Sequence, residues 1–494
     1  MDLPADITLL LFFCLSCFIL YLSLKSLQGG GDLPPGPIPL PLLGNTLDIG
    51  GDIVNSLLKL REKYGDVFTV YLGSRPVVVV TGYKNVKEIY LDKSEDFLQR
   101  GAMPIWHDFY ENYGVVFTNN MERWRELRRF SISTLRDFGL GKSSTEERIQ
   151  EETLYLVEEL RKSKESFFDP RQTLSRALCN IIFSIMFGNR REYEDKDIAT
   201  VLTGIYESFL IASSPWGQIY EMLPGVMTFL PGKHQEFFKS MNKLHQFVRE
   251  KVKINEMTLD PNNPRDYVDA FLIKIEKDKM NPSSEFNMKN LLASTLQVFF
   301  AGVETMSTTI TYFLLLLLKY PDVLEKLHKE IDQVIGRNRS PTLQDRNLMP
   351  YTEAVIHEMQ RFTDLLPLGV PRKTVNEVKL KGYTLPKGID VFPMLTTVLK
   401  DPTCFKNPKE FNPENFLNKK GEFQKNDAFM PLGAGKRICL GEALVRMEVF
   451  LFLVTIVQNF DLKSPVPLEE LDITPIVSGL GSFPKPYKMA LISR

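Results

Sequence analysis

The chain opens on an apolar run, residues 7–24, broken only by Thr8, Ser16 and Ser23. As a helix, that length just covers the hydrocarbon core of a bilayer. The charges before the run are acidic (Asp2, Asp6), and the first positive side chain, Lys25, follows it, with Lys59, Arg61 and Lys63 further on. A cleaved leader has a basic start and a small-residue cleavage site. The pattern here predicts instead an uncleaved anchor over 1–25, with the positive flank and the rest of the chain on the cytosolic side. Gly29-Gly30-Gly31 and the prolines Pro34, Pro35, Pro37, Pro39 and Pro41 forbid a helix and predict a stiff extended hinge over 26–45. Residues 46–494 then read as one large body.

Within that body, residues 67–72 and 76–81 are β-branched and strand-like, with Gly73-Ser74-Arg75 turning between them. Helical periodicity takes over from about 85. Residues 146–163 and 237–254 predict charged amphipathic helices. Residues 290–319 predict a long, mostly apolar helix bounded by Pro282 and Pro321. Gln297, Glu304, Thr305, Ser307, Thr308 and Thr309 in its middle argue for a core helix touching something polar rather than a second span. Residues 382–386 and 473–486 are Gly/Pro-punctuated and strand-like. The predicted class is mainly α with a smaller β region.

Composition narrows the function. An apolar fraction of 44% and a charged fraction of 24% exclude long disorder and fibrous architectures. Sixty basic against sixty-one acidic residues create no global field for nucleic acid. The five Cys are too few and scattered for a disulfide framework, and the five His stand at no metal-binding spacing. Gly433-Ala434-Gly435-Lys436 lacks the Ser/Thr after Lys that a phosphate loop needs, so any NADPH electrons must come from another protein.

The segment with chemistry is 429–442, Phe-Met-Pro-Leu-Gly-Ala-Gly-Lys-Arg-Ile-Cys-Leu-Gly-Glu. Cys439 sits in a glycine-rich loop, after two cations and before a predicted helix over 443–459. Cations and a helix N-terminus both favour thiolate. Gly435, Arg437, Cys439 and Gly441 match the F-x-x-G-x-R-x-C-x-G loop, and here the chain resembles the cytochrome P-450 superfamily of haem-thiolate monooxygenases. Leu432 stands where that family has Phe. Three more motifs follow the family's order: Trp124-x-x-x-Arg128, Ala301-Gly302-Val303-Glu304-Thr305, and Glu358-x-x-Arg361, whose partners share a helix face. Met306 and Asn415 depart from the family's usual residues. The proline hinge and the wording around Glu358 look most like the second family of animal microsomal members.

The resemblance implies the P-450 fold, haem b with Cys439 as its axial iron ligand, and dioxygen as co-substrate. It implies propionate contacts from Arg100, Trp124, Arg128, Arg372 and Arg437, with Ala301 against the haem. Glu304 and Thr305 would deliver protons beside a local opening of the long helix. Glu358 and Arg361 would form a structural pair completed by Asn415. A substrate wall is expected at Ile105, Phe109, Phe117, Phe300, Ala301, Leu366, Leu368, Val370 and Leu480. The implied activity inserts one oxygen atom into an apolar small molecule (xenobiotic, fatty acid or steroid). Electrons would come from an NADPH-dependent reductase, with cytochrome b5 as a further partner, at the endoplasmic reticulum membrane. The rival readings are a haem-thiolate isomerase or dehydratase and a non-catalytic membrane haem-binding protein.

Overall fold

The alternating residues of 67–80 form the edge of a five-stranded sheet. The computed structural model describes residues 33–138 and 143–494; the expected anchor lies outside them. β1 (Val67–Leu72) and β2 (Arg75–Val80) pair antiparallel, with Val67 opposite Val80 and Leu72 opposite Arg75. The turn is shorter than expected, because Arg75 already belongs to β2. Gly73 makes this possible: its φ is 62°, and a Cβ there would meet the Met222 carbonyl oxygen at 2.5 Å.

The sheet continues through three later or distant segments: β3 (Gln99–Arg100), β4 (Arg372–Lys373) and β5 (Asp390–Pro393). Its order is β1-β2-β5-β4-β3. β2 and β5 run parallel, and the remaining pairs are antiparallel. At the far edge, Arg100 and Arg372 are direct register partners. Two like charges set opposite each other destabilise a sheet unless something compensates them.

Three two-stranded sheets, two of them drawing on the expected stretches 382–386 and 473–486, and a majority of helices make up the rest of the body. Five helices frame the site: α1 (Met121–Asp137), α2 (Arg171–Phe187), α3 (Met288–Lys319), α4 (Pro350–Thr363) and α5 (Glu442–Asn459). The Asn287 side chain accepts the Asn290 N–H and starts α3; Tyr320-Pro321 ends it. At 32 residues and 1.5 Å per residue, α3 is roughly 48 Å long. It is long and apolar enough to cross a membrane, but 78% of its apolar window is buried inside the body. It is the core helix that its polar residues predicted. Gly302 is a packing glycine: a Cβ there would stand 2.7 Å from Ile182 Cδ1 on α2. The expected local opening near Ala301 is not present. α3 is unbroken, and the Thr305 hydroxyl donates to the Ala301 carbonyl at 2.6 Å, closing its own turn.

Candidate active site: one thiol, four arginines, one cavity

The loop before α5 is held in a shape only glycine allows. Gly433 and Gly435 have φ of 73° and 69°, and a Cβ on Gly435 would fall 1.9 Å from the Tyr90 carbonyl oxygen. This fold-back lets the Cys439 N–H donate to the Leu432 carbonyl at 3.0 Å. Burial pushes the Cys439 thiol up, while the Gly441 N–H and the charge of Arg128 pull it down. Cys439, Leu432 and Gly433 line a cavity of about 280 Å³.

Four guanidiniums reach the same cavity: Arg100, Arg128, Arg372 and Arg437. Arg437 lies over the Trp124 ring at 4.1 Å. It donates from Nε to the Leu98 carbonyl at 2.9 Å, and its Nη1 has no partner. Arg100 donates to the Val116 carbonyl at 3.0 Å, and Arg128 to the Ile438 carbonyl at 2.8 Å. Arg372 sits over the Tyr90 ring at 4.9 Å with an unpartnered Nε. None of the four pairs with a carboxylate among the described residues. Burial first, and then the neighbouring Arg372, pull Arg100 down to about 9. Burial and the other three cations hold Arg437 well below its ordinary value. Buried guanidiniums this close call for a multiply charged anion with oxygens that accept paired hydrogen bonds.

The wall facing Cys439 is α3, which presents Ala301, Gly302, Thr305, Met306 and Thr309. Glu304 is absent from it. Its carboxylate turns to α2, where Arg171 Nη2 stands 2.5 Å away and the Thr308 hydroxyl donates at 3.0 Å. The Arg171 guanidinium in turn lies 3.6 Å over the Tyr206 ring. In this structure Glu304 and Thr305, expected to act together, meet different neighbours.

Part of the expected substrate wall lines this cavity. Ala301, Leu366 and Val370 line the cavity; Ile105, Phe109, Phe117, Phe300, Leu368 and Leu480 do not. Phe300 stacks on Phe209 at 4.8 Å and meets Trp106 edge-on at 5.1 Å. Phe117 stacks on Trp106 and Tyr110, and Phe109 packs against Tyr110. Ile105 is buried among them. Leu368 belongs to the cluster beneath the sheet, and Leu480 packs on the main core. Aromatic pairing consumes the rings that spacing alone would offer to a ligand. Val115, Val116, Ile182, Met186, Val298 and Leu365 provide the apolar lining instead.

Behind the site, α4 carries the pair that its i, i+3 spacing predicted. Arg361 Nε and Nη2 each donate to Glu358 at 2.7 Å. Glu358 also accepts the Asn412 N–H at 2.7 Å and, at a longer 3.4 Å, the Asn415 side chain. Sequence reasoning missed Tyr90, Arg171, Gln360 and Glu448. Only Glu448 gave a signal, as the lone charge in the otherwise apolar stretch 447–457 of α5.

The geometry fits the group the resemblance implied. Cys439 offers a thiol, and the orphaned Arg372 and Arg437 donors match the two propionates of haem b. Residues 34–491 match the model of the family described as cytochrome P450. The chain is 50% identical, over all of both chains, to cytochrome P450 2G1 of Oryctolagus cuniculus. It is 50% identical to cytochrome P450 2A5 of Mus musculus and 48% identical to cytochrome P450 2A13 of Homo sapiens, over 97% of each chain in both cases. With the cysteine loop, the arginine cluster and the full-length similarity in agreement, the chain belongs to the cytochrome P450 family, monooxygenases that work with haem b, dioxygen and electrons drawn from NADPH through a reductase.

Proposed function

We propose that this chain oxidises a compact, uncharged small molecule of the xenobiotic, fatty-acid or steroid kind. It would do so at the endoplasmic reticulum membrane, anchored by residues 1–25 with the body cytosolic. One observation carries the reading: a cysteine and four carboxylate-free arginines meet at a cavity whose opposite, apolar wall holds the Thr305 hydroxyl.

Bound haem supplies the activation of dioxygen. The protein's own work is to hold, orient and protect. Cys439 is the iron ligand, and the Gly441 N–H stabilises its negative charge. Arg100, Arg128, Arg372 and Arg437 neutralise the propionates, with Trp124 stacked under Arg437. Ala301, which lines the cavity, would let α3 lie against bound haem. Thr305 holds a proton at Oγ1 over the cavity, and the aliphatic lining excludes bulk water. Glu358, Arg361 and Asn415 brace the segment before the cysteine loop.

The exposed residues Arg125, Arg129 and Arg136 surround Trp124 and Arg128 on the outer face of α1. This rim supports docking of an acidic reductase, and of cytochrome b5, on the Cys439 side. Arg123 does not belong to it, because Glu285 holds it at 2.6 Å, and Lys436 is paired with Glu95.

The test is spectroscopic and then kinetic. The reduced protein with carbon monoxide should show the thiolate-ligated band, and NADPH consumption with a reductase should yield hydroxylated product. A band without NADPH-dependent product, together with rearrangement of added hydroperoxides, would replace this reading with an isomerase or dehydratase. The same band with no conversion of either kind would leave a haem-binding protein.

A further inference from the structure

Buried phenols in this body hand their proton to an oxygen. Tyr193 donates to Glu152 at 2.8 Å, Tyr220 to Asp108 at 2.7 Å and Tyr312 to the Ile473 carbonyl at 2.7 Å. Tyr90 is placed differently. It is 3% exposed and lines the cavity of Cys439 and the four arginines. Burial raises its phenol above the ordinary value, so it stays un-ionised at neutral pH. The side chains that pull against that rise are Arg372, by charge and by a hydrogen bond, and Arg100, by charge. A guanidinium has donors and no acceptor. Arg372 therefore serves the phenol oxygen, and neither arginine can take the phenol proton. A buried tyrosine hydroxyl usually finds a partner for it, and the open side here is the cavity.

The chain is shaped to put the phenol there. The helix Tyr83–Lys87 runs into a single π turn, Glu88–Asp92, closed by the Lys93 N–H on the Glu88 carbonyl at 2.8 Å. Such turns are rare and recur at functional sites. Gly369 leaves the hydroxyl its room, since a Cβ there would stand 3.0 Å from it. Gly369 and Gly433 both approach the Tyr90 side chain, and both line the cavity.

Resting on the reading that the four arginines hold the propionates, we propose that Tyr90 is a further haem-binding residue, its phenol donating a hydrogen bond to the propionate that Arg372 holds. A neutral donor suits the place. Arg100 and Arg372 already oppose each other in register, so another cation would add repulsion, whereas a phenol adds a bond without adding charge. Arg372, by donating to the phenol oxygen, polarises the O–H bond and strengthens what it donates in turn. The main chain of Tyr90 packs on Gly435, so one residue touches both the cysteine loop and the propionate.

The test times the transfer of haem from the ferric protein to a scavenging apoprotein. Tyr90→Phe keeps the ring under Arg372 and removes one O–H. It should speed transfer about tenfold, the low end for a hydrogen bond to a charged group. Wild type and variant are then loaded with haem b dimethyl ester, whose carboxyls carry no charge. A bond to a neutral acceptor is about half as strong, so the difference should shrink to about threefold. Transfer from Tyr90→Phe as slow as from the wild type, with Arg372→Gln fast, would overturn the proposal and leave the arginine reading standing. An acceleration equal with both haems would also overturn it, since loosened packing does not depend on the carboxylate. If neither protein retains the ester, Tyr90→Phe/Arg372→Gln decides: one shared carboxylate makes the two effects less than additive, and full additivity would sink the idea. If Arg372→Gln is as slow as the wild type, the propionate reading falls and the proposal with it.

Discussion

Replacing Arg171 by Met should expose what the α2–α3 ion pair holds in check. The side chains are 16% and 4% exposed for Arg171 and Glu304. Removing one partner of such a pair leaves a buried charge and costs about 3–5 kcal/mol. Partial exposure of Arg171 argues for the low end, about 3 kcal/mol, with the lost contact to Tyr206 adding about 1 kcal/mol. An unfolding entropy near 2.1 cal/mol/K per residue over roughly 450 residues makes each kcal/mol worth about 1 °C, so the melting temperature should fall by about 3–4 °C. Thermal unfolding of the haem-loaded protein measures this. The pH dependence gives the sign. Burial raises the Glu304 carboxyl above its ordinary value, and Arg171 opposes that rise. Without Arg171 the folded-state pKa climbs further above the unfolded one, so stability is lost as pH rises from about 4.5 through the raised value. The deficit at pH 7.5 should therefore exceed that at pH 5. Arg171→Met/Glu304→Gln should recover at least about half of the loss, because a neutral amide costs less to bury. A shift under about 1 °C, or a double variant as unstable as the single one, would refute the reasoning.

Cys439→Ser should lose the thiolate band and all turnover, whereas Cys179→Ala and Cys404→Ser should keep both, as absorption spectra will show. Arg372→Gln should leave the haem-free protein as stable as before or more so, since it relieves repulsion with Arg100. The same change should speed haem transfer to a scavenging apoprotein about tenfold for the lost charge-assisted bond. Leu432→Phe should shift the haem reduction potential in a spectroelectrochemical titration with little change in melting temperature. The residue lines the cavity, and its carbonyl contact to the Cys439 N–H does not depend on the side chain.

The sequence revealed relationships that lie along one element and hid those that arise between elements. The Glu358–Arg361 pair needs only an i, i+3 spacing on a helix, and the structure forms it. The polar residues in the middle of α3 marked it as a core helix, as they should. The strand pair 67–80 came out one residue out of step at β2, because the turn's length depends on Gly73 meeting the Met222 carbonyl, which is remote in sequence. The aromatic cluster was hidden for a similar reason: that Phe300 meets Phe209 is settled by the packing of distant helices, and no local pattern encodes it. That Glu304 turns to Arg171 depends on α2, an element remote in sequence. Glu448 was visible as a charge out of place, but the cavity it lines takes several helices to build.

Arg361 has a consequence for motion. Its five N–H bonds are all spent: two on Glu358 and one each on the carbonyls of Leu399, Pro408 and Glu410, at 2.8 Å to 2.9 Å for the carbonyls. Those three acceptors lie in a stretch with little regular secondary structure, the sort that usually opens on its own and exchanges its amide hydrogens within seconds to minutes. Here one fully buried guanidinium fastens it to α4, so local opening would have to strand a cation in the interior. The segment should exchange in step with the helix behind it, by global unfolding alone. Lysine, with three donors on a rotating head, could not impose that, and an Arg361→Lys protein would let the loop breathe while the helices stay closed.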